Sequence, residues 1–336
     1  MNNKNYKVTL MLLVTFLVGG AAGFFSRDAI NGVKKHRHKS AYVERHEGES
    51  NYINPLLACD VAEDVLSDPE IGNIKKKVEP IVTAAIERRN ATNIGVYFRE
   101  LNDGYWFSIG ETEKFVPASL RKVPLMIALL KQAEREDNLL DRLVKFDLSN
   151  DYNLVQNVKP SQTLVFGKSY TVKDLIYRMI VYSDNNAYIC LTKIVDKNEF
   201  GGVYGKLRML NPSILKEDDY LSVQTYASFF RILYNASYLS REASNGALWV
   251  LAKSQYRDGI VAGVPADVEV AHKFGEQSDA PMGTMHLHDC GIVYYPDHPY
   301  LLCIMSKGTK FEPLRDVIKD ISATIFEEVR SQGNVE

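Results

Sequence analysis

The spacing of hydrophobic residues changes several times along the chain. From Ile74 to Arg89 they recur at helical intervals, and Pro80 marks a kink or a boundary in this predicted helix. Ile94–Leu101 and Tyr105–Ile109 are strand-like instead, and the turn Asn102-Asp103-Gly104 joins them. This pattern predicts a helix followed by a β-hairpin.

A mostly helical region follows, from about Ala118 to Lys253. Its clearest amphipathic segments are Leu120–Glu136, Val172–Val195 and Val223–Tyr234. We expect this region, about residues 118–255, to form a lobe of its own.

Strand-like segments return near the carboxyl end, in Val268–Phe274, Leu287–Tyr295 and Tyr300–Ser306. A final helix, from about Pro313 to Arg330, carries its apolar residues on one stripe. The simplest packing is an antiparallel sheet flanked by the terminal helices, with the all-helical lobe inserted between its strands. The sequence therefore predicts an α/β (α+β) fold with a cleft where the sheet meets the lobe.

An uncharged run of hydrophobic and small residues, Val8–Phe25, precedes these elements. It has about the minimum length of a helix that spans a hydrocarbon layer, and the small residues at its end also suit a cleaved signal peptide. We therefore predict a membrane anchor or signal peptide at residues 1–27, a polar tether at 28–60 and the folded domain at 61–333.

Composition excludes several classes of function. The 336 residues include 40 Lys and Arg against 42 Asp and Glu, a net charge of −2, so no overall positive field attracts nucleic acid. The four cysteines form no Cys-x-x-Cys pair and are too few for a disulfide scaffold. His286 and His288 lack a third ligand nearby, so we expect a solvated or rim face of a strand there, with no metal and no cofactor.

Candidate chemistry begins where the first helix of the lobe starts. Ser119 and Lys122 are three residues apart, which places both side chains on one helical face. A serine in the first turn also lies near free backbone N–H groups and the positive end of the helix dipole. The pattern recurs at Ser213 and Lys216, but an acidic run follows that copy, and we expect a loop there.

Two further short motifs border the predicted cleft. Ser183-Asp184-Asn185 lies between apolar helical segments, where a polar break or a helix cap is the simpler explanation. Lys273-Phe274-Gly275 ends a predicted strand before a loop at 276–284, where a glycine permits another chain or a ligand to approach. The order of the three motifs, at a helix start, a break in the lobe and a strand end, places all of them around one cleft.

Together these motifs resemble those of the class A β-lactamase-like family of penicillin-recognising hydrolases with an active-site serine. The signatures of that family are Ser-x-x-Lys, Ser-Asp-Asn and Lys-[Ser/Thr]-Gly. The resemblance extends from about Ile74 to Arg330 and includes Phe115–Ser119 and the helical run after Ser222. It implies a β-lactamase/transpeptidase-like fold and a serine hydrolase that acts on amides or cyclic amides.

The resemblance also implies catalytic roles for four residues. Ser119 would be the nucleophile, and Lys122 would be the neutral amine that takes its proton. Ser183 would relay the proton to the leaving nitrogen, and the cation of Lys273 would help to keep Lys122 neutral.

Three further residues are implied in substrate binding. Asn185 would bind the amide side chain of the substrate, and Gly275 would let the substrate approach the strand. The backbone N–H groups of Ser119 and Glu276 would form the oxyanion hole.

The sequence departs from the family pattern at two points. Phe274 stands where the family has a hydroxyl that contacts the substrate carboxylate, so recognition of ordinary penicillins is in doubt. Leu207 falls where class A enzymes have the glutamate that activates water for deacylation. The acids nearby are Glu199, Glu217, Asp218 and Asp219, among which Glu217 is the best candidate for a water-activating base.

Three functions remain open at this stage. The chain forms an acyl-enzyme with β-lactams or related amides and deacylates slowly, it is a D-alanyl-D-alanine peptidase or transpeptidase-like cell-wall enzyme, or it is a membrane-tethered protein that binds peptidoglycan without catalysis. The expected partner is a small β-lactam or a peptidoglycan stem peptide, and the chain is expected to be a monomer.

These functions require an extracytoplasmic domain. Lysines and arginines are more numerous after the apolar run than before it, which by itself favours the cytoplasm, but long domains cross membranes regardless of flanking charge. We therefore expect a single-pass protein of the bacterial cell membrane, or a secreted one if the leader is cleaved.

Overall fold

The computed structural model describes residues 52–53, 69–206, 221–279 and 283–333. Its helices are α1 (Pro69–Glu87), α2 (Lys122–Ala133), α3 (Val172–Val181), α4 (Asn185–Thr192), α5 (Lys197–Lys206), α6 (Val223–Tyr234), α7 (Arg241–Ala252) and α8 (Phe311–Gly333). Its strands are β1 (Asn93–Glu100), β2 (Trp106–Ile109), β3 (Leu143–Lys145), β4 (Ser169–Thr171), β5 (Glu269–Asp279), β6 (Thr284–Tyr294) and β7 (Tyr300–Gly308). Two short 3-10 helices span Ala118–Arg121 and Ile260–Gly263.

Five strands form an antiparallel sheet in the order β2-β1-β7-β6-β5. Alternate residues of β7 belong to different hydrophobic clusters, with Leu302 and Ile304 in one and Leu301 and Met305 in the other. The first cluster packs the sheet against α1 and α8, and the second packs it against the helices of the lobe. The fold class predicted from the sequence is confirmed, and both faces of the sheet are covered.

The lobe differs from the prediction in two details. A two-stranded antiparallel sheet of β3 and β4 lies within it, so it is not entirely helical. The predicted helix Val172–Val195 is divided into α3 and α4, because the chain takes a positive φ of 56° at Ser183. Asp184 then caps α4 by accepting hydrogen bonds from the backbone N–H groups of Asn186 and Ala187.

Strand β5 is longer than the sequence suggests. The residues assigned to a loop after Gly275 continue to pair with β6 as far as Asp279, opposite Thr284. Lys273-Phe274-Gly275 therefore lies within a strand and not at its end. The extension was not predicted because the residues after Gly275 are polar and resemble a loop. Backbone pairing nevertheless continues there, since one face of the hairpin is exposed.

The middle of β5 lies directly against the first 3-10 helix. A Cβ atom at Gly275 would be 3.0 Å from both Leu120 N and Pro117 O. Glycine is required here because a larger residue would push the strand away from this backbone. The contact joins the sheet to the first turn of the lobe.

Tyr52 and Ile53 fall within the predicted tether, and both side chains are buried against the domain. The Tyr52 hydroxyl donates a hydrogen bond to Glu269 Oε1 at 2.9 Å, and the Tyr294 hydroxyl donates to Tyr52 O at 2.8 Å. This part of the tether is therefore fixed beside the start of β5.

Some sequence predictions concern residues that the structure does not describe. The hydrophobic run Val8–Phe25 and the second Ser-x-x-Lys pattern at Ser213 and Lys216 both lie outside the described residues. Among the helices in the described ranges, none has both the length and the hydrophobicity needed to cross a membrane.

One pair of cysteines is joined across the sheet. Cys290 in β6 and Cys303 in β7 are direct cross-strand neighbours and form a disulfide. Cys190 in α4 is buried and free. The sequence predicted buried strands at Cys290 and Cys303 but not this bond, because the pairing depends on the register of two strands.

We expect Gly275→Ala to lower the free energy of unfolding by about 1–3 kcal/mol, because the added methyl group has no room beside the 3-10 helix. Gly246→Ala is the matched control. Nothing lies within 4 Å of its Cβ position, and alanine stabilises a helix interior relative to glycine by about 0.5–1 kcal/mol. Urea unfolding followed by circular dichroism measures both, and equal effects would contradict the close packing at Gly275.

Candidate active site

Ser119 lies in the 3-10 helix that leads into α2, and its side chain is partly exposed. The residue before it, Ala118, has a φ of 50°, which is unfavourable for a residue with a Cβ atom. The Tyr226 hydroxyl holds this turn by donating a hydrogen bond to Leu120 O at 2.9 Å. A strained backbone therefore holds Ser119 in a turn where its side chain is partly exposed.

Lys122 begins α2 and is almost completely buried. Its Nζ lies 2.7 Å from Ser183 O, 3.1 Å from Ser183 Oγ and 2.7 Å from Asn185 Oδ1. In the described part of the chain, Ser119 Oγ is not among its hydrogen-bond partners. The three-residue spacing thus places Lys122 beside the serine cleft without a direct hydrogen bond to Ser119.

Lys273 reaches the same serine from the sheet. Its Nζ lies 3.0 Å from Ser183 Oγ and 2.8 Å from Phe274 O. Both Lys273 and Ser183 are fully buried. The hydroxyl of Ser183 therefore lies between two lysine amines.

The surroundings lower the pKa of both amines. Burial, reinforced by the nearby cation of Lys273, lowers the pKa of Lys122 far below its usual value, and Asp184 and Glu276 oppose the effect. Burial lowers the pKa of Lys273 to about 7, against the attraction of Asp289 and Glu276. A neutral Lys122 is therefore favoured.

The hydrogen bonds of Lys122 fit a neutral amine. Ser183 O and Asn185 Oδ1 only accept hydrogen bonds, and the orientation of the Asn185 amide follows from the bond that its Nδ2 donates to Tyr152 O at 3.0 Å. These two acceptors use both N–H donors of a neutral amine and leave its lone pair for a hydroxyl group. Ser183 Oγ accepts from Lys273 and can donate to that lone pair, so a hydrogen-bonded path joins Lys273 to Lys122.

The loop between β3 and β4 forms a wall of the site that the sequence did not predict. Asn153 hydrogen-bonds the carboxylate of Asp184 at 3.0 Å and the backbone N–H of Asn185 at 2.7 Å. Gln156 Nε2 donates to Ser183 O at 2.9 Å. The cluster of amide side chains in this otherwise irregular segment is the signal that could have indicated it.

Glu276 connects β5 to the same loop. Its Oε1 accepts a hydrogen bond from Val158 N at 2.7 Å, and its Oε2 accepts one from Asn157 Nδ2 at 2.7 Å. Only 9% of the residue is exposed. The loop and the strand are therefore joined beside Gly275.

Phe274 points into the protein. Its ring is buried and stacks on Tyr256, with 4.1 Å between the ring centroids. Lys273 Nζ lies 4.2 Å from the centroid of the Phe274 ring, which is within range of a cation–π interaction. The side chain is thus part of the core beneath the site.

The structure brings the seven predicted site residues to one region. Ser119 comes from the first 3-10 helix and Lys122 from the start of α2. Ser183 lies in the turn between α3 and α4, Asn185 begins α4, and the other three residues belong to β5. The Asn185 amide accepts a hydrogen bond from Lys122 and donates one to Tyr152 O. Its predicted role in substrate binding stays a prediction.

Of the four acids considered for water activation, only Glu199 lies within the described residues. That carboxylate pairs with Arg135, which follows the carboxyl end of α2. Ser119 precedes the amino end of this 12-residue helix, and such a helix is about 18 Å long. Glu199 is therefore far from Ser119, and Glu217, Asp218 and Asp219 lie outside the described residues.

The sequence predicted an exposed face at His286 and His288. This prediction is wrong, since both side chains are buried. His288 Nδ1 accepts a hydrogen bond from Ser306 N at 3.1 Å, so Nε2 carries the hydrogen and donates to Val116 O at 2.8 Å. His288 therefore holds the segment before Ser119 against the sheet. Within the described ranges, no group of three or more His, Cys, Asp or Glu residues could hold a metal ion.

Comparison with known families agrees with this geometry. The sequence profile described as "Beta-lactamase enzyme family" matches residues 74–329. The chain belongs to this family. No curated protein matches the sequence.

Solved structures with the same fold share few identical residues with this chain. A mutant of PBP-A, solved as an acyl-enzyme complex with penicillin G, is 19% identical with a TM-score of 0.64, covering 79% of this chain and 99% of its own. A β-lactamase from Chitinophaga pinensis is 21% identical with a TM-score of 0.64, covering 76% and 98%. TLA-1 extended-spectrum β-lactamase is 16% identical with a TM-score of 0.65, covering 77% and 99%.

The buried imidazole of His288 makes stability depend on pH. Burial lowers its pKa to about 3, so between that value and about 6.5 the unfolded chain binds a proton that the folded chain does not. Stability falls as the pH drops through this window, by up to about 1.4 kcal/mol per pH unit. We expect His288→Gln to remove about 2 kcal/mol of the loss between pH 7 and pH 5.

Urea unfolding at the two pH values measures this difference. Ile292→Val, a change of one buried methyl group in the same strand, is the control, because it lowers stability without removing a titratable group. An unchanged pH dependence in His288→Gln would contradict the assignment of a neutral, buried ring.

Proposed function

We propose that this chain is an active-site-serine hydrolase that forms an acyl-enzyme at Ser119 with β-lactams or related amides and releases it slowly. The main support is the buried hydrogen-bonded path from Lys273 through Ser183 to Lys122. It lies beside the strained turn that presents Ser119. A structural ion pair would need an opposite charge, whereas two amines around one hydroxyl suit proton transfer.

In the proposed reaction, neutral Lys122 takes the proton of Ser119 as Ser119 Oγ attacks the amide carbonyl carbon. A direct hydrogen bond between them is expected to form only with substrate bound, because catalytic contacts tighten in the complex. Ser183 then delivers its proton to the leaving nitrogen as the C–N bond breaks and takes up the proton that Lys122 received from Ser119, so that Lys122 is neutral again. The backbone N–H groups of Ser119 and Glu276 stabilise the oxyanion, each by about 3 kcal/mol.

Slow release is proposed because neither of the two acids considered in the described part of the chain is free to activate water. Glu199 is paired at the far end of α2, and the carboxylate of Glu276 is hydrogen-bonded to Asn157 and Val158. Glu217 is the remaining candidate from the sequence. Without a placed base, attack of water on the acyl-enzyme lacks general-base assistance, which typically contributes about 10²–10⁴-fold.

The domain is proposed to act outside the cytoplasm of a bacterial cell, with Val8–Phe25 as an anchor or a cleaved leader. The Cys290–Cys303 disulfide supports this location, because disulfides persist mainly in oxidising compartments. A monomer remains our expectation.

Long incubation with a fluorescent penicillin should give a covalent adduct at Ser119, visible as a mass increase of the intact protein. Ser119→Ala and Lys122→Ala should abolish it, because the nucleophile or its base is lost. Lys216→Ala is the matched control from the second Ser-x-x-Lys pattern and should label like the wild type. Equal loss of labelling in Lys122→Ala and Lys216→Ala would contradict the choice of Ser119.

A chromogenic cephalosporin tests release. We expect a burst of about one equivalent followed by a much slower phase, since acylation outpaces hydrolysis when no base activates water. Stopped-flow absorbance measures both phases. Rapid steady turnover contradicts slow release, and a complete absence of burst and adduct favours the non-catalytic peptidoglycan-binding alternative.

A further inference from the structure

The electrostatics of β5 bear on which substrate the site accepts. Glu276 immediately follows Gly275, which contacts the turn that carries Ser119. Burial lowers the pKa of both Lys122 and Lys273, and the carboxylate of Glu276 is among the charges that oppose this lowering. A negative charge therefore lies within electrostatic range of both amines of the proposed acylation site.

Hydrogen bonds fix the Glu276 carboxylate in place. Each of its oxygens accepts one bond at 2.7 Å, from Val158 N and from Asn157 Nδ2. Both donors belong to the loop whose Gln156 contacts Ser183 O. Because neither partner is charged, the negative charge is solvated by dipoles but is not neutralised.

The amine of the buried Lys273 is directed into the protein. Lys273 Nζ directs hydrogen bonds to Ser183 Oγ and Phe274 O, and the Phe274 ring lies 4.2 Å from it. Two of its three donors are thus used inside the protein and one side is covered by an aromatic ring. Lys273 is poorly placed to pair with an anionic group of a substrate.

From these contacts we propose that the site reacts fastest with acyl donors that lack a carboxylate next to the scissile bond, such as neutral esters, thioesters or internal amides. Penicillins and cephalosporins, which carry a carboxylate beside the β-lactam nitrogen, then acylate Ser119 more slowly. The selection arises from repulsion by the fixed Glu276 carboxylate and from the occupied donors of Lys273. This inference rests on the proposed acyl transfer at Ser119. Glu276 is a specificity-determining residue in it, distinct from the role of its backbone N–H.

A pair of thioesters isolates this selectivity. N-acyl-D-alanyl-thioglycolate and its methyl ester carry the same acyl group, and only the leaving group differs in charge. In both reactions the Ser119 Oγ–C bond forms, the C–S bond breaks, and the thiol leaves with the proton that Ser119 loses. The acyl-enzyme is identical. The ratio of the two acylation rate constants, divided by the ratio of the rates at which hydroxide hydrolyses the two thioesters, therefore reports recognition of the leaving group.

We expect the wild type to react at least about 10-fold faster with the methyl ester. Glu276→Gln retains an acceptor for Val158 N but removes the charge, and it should shift the ratio about 10-fold towards the thioglycolate. Glu269→Gln is the matched control, because Glu269 lies on the same strand but bonds to Tyr52. That control should keep the wild-type ratio.

The competing possibility is that an exposed cation pairs with the carboxylate of the substrate. Arg257, which follows Tyr256 in the sequence and is exposed, is the candidate. If the wild type prefers the thioglycolate, and Arg257→Ala removes that preference, the inference is overturned. An unchanged ratio in Glu276→Gln overturns it as well. Absence of a Ser119-dependent adduct with either thioester overturns the proposed function itself, an outcome distinguished by the mass of the intact protein.

Discussion

The burial of two lysine amines around one serine hydroxyl is the constraint on which the rest of the site depends. Removing a cation from water costs several kcal/mol unless its protons find acceptors or it becomes neutral. Lys122 meets this requirement with the carbonyl oxygens of Ser183 and Asn185, and Lys273 with Ser183 Oγ and Phe274 O. The turn between α3 and α4 must therefore adopt its strained form, because that form aims the acceptors at the amines.

This requirement explains why so many polar contacts support the turn. Asn153 bonds to Asp184 and to the backbone of Asn185, and Gln156 bonds to Ser183 O. Such networks stabilise a single geometry only if most of their members are satisfied. Asn153 and Gln156 thus support the turn, although neither side chain carries a group typical of catalysis.

Local patterns predicted those parts of the molecule that depend on neighbouring residues. Periodicity located α6 and the strands of the sheet, and short motifs indicated Ser119, Lys122, Ser183 and Lys273. Contacts between distant segments were not predictable in this way. The partners of the Asn153 side chain are about 30 positions away, as the Asn153–Asp184 bond shows with a separation of 31. The burial of His288 depends on which face of β6 meets the segment before Ser119.

The topology of the sheet also constrains the order in which its strands can pair during folding. Strand β1 pairs with β7, and Thr92 Oγ1 donates a hydrogen bond to Lys307 O across a separation of 215 residues. The amino-terminal hairpin thus has an unpaired edge until nearly the whole chain is available. Chains dominated by such distant pairings fold slowly, because loop closure precedes the gain from contacts. During synthesis the edge of β1 would remain open to chaperones, and the native sheet would close only after the last strand emerges.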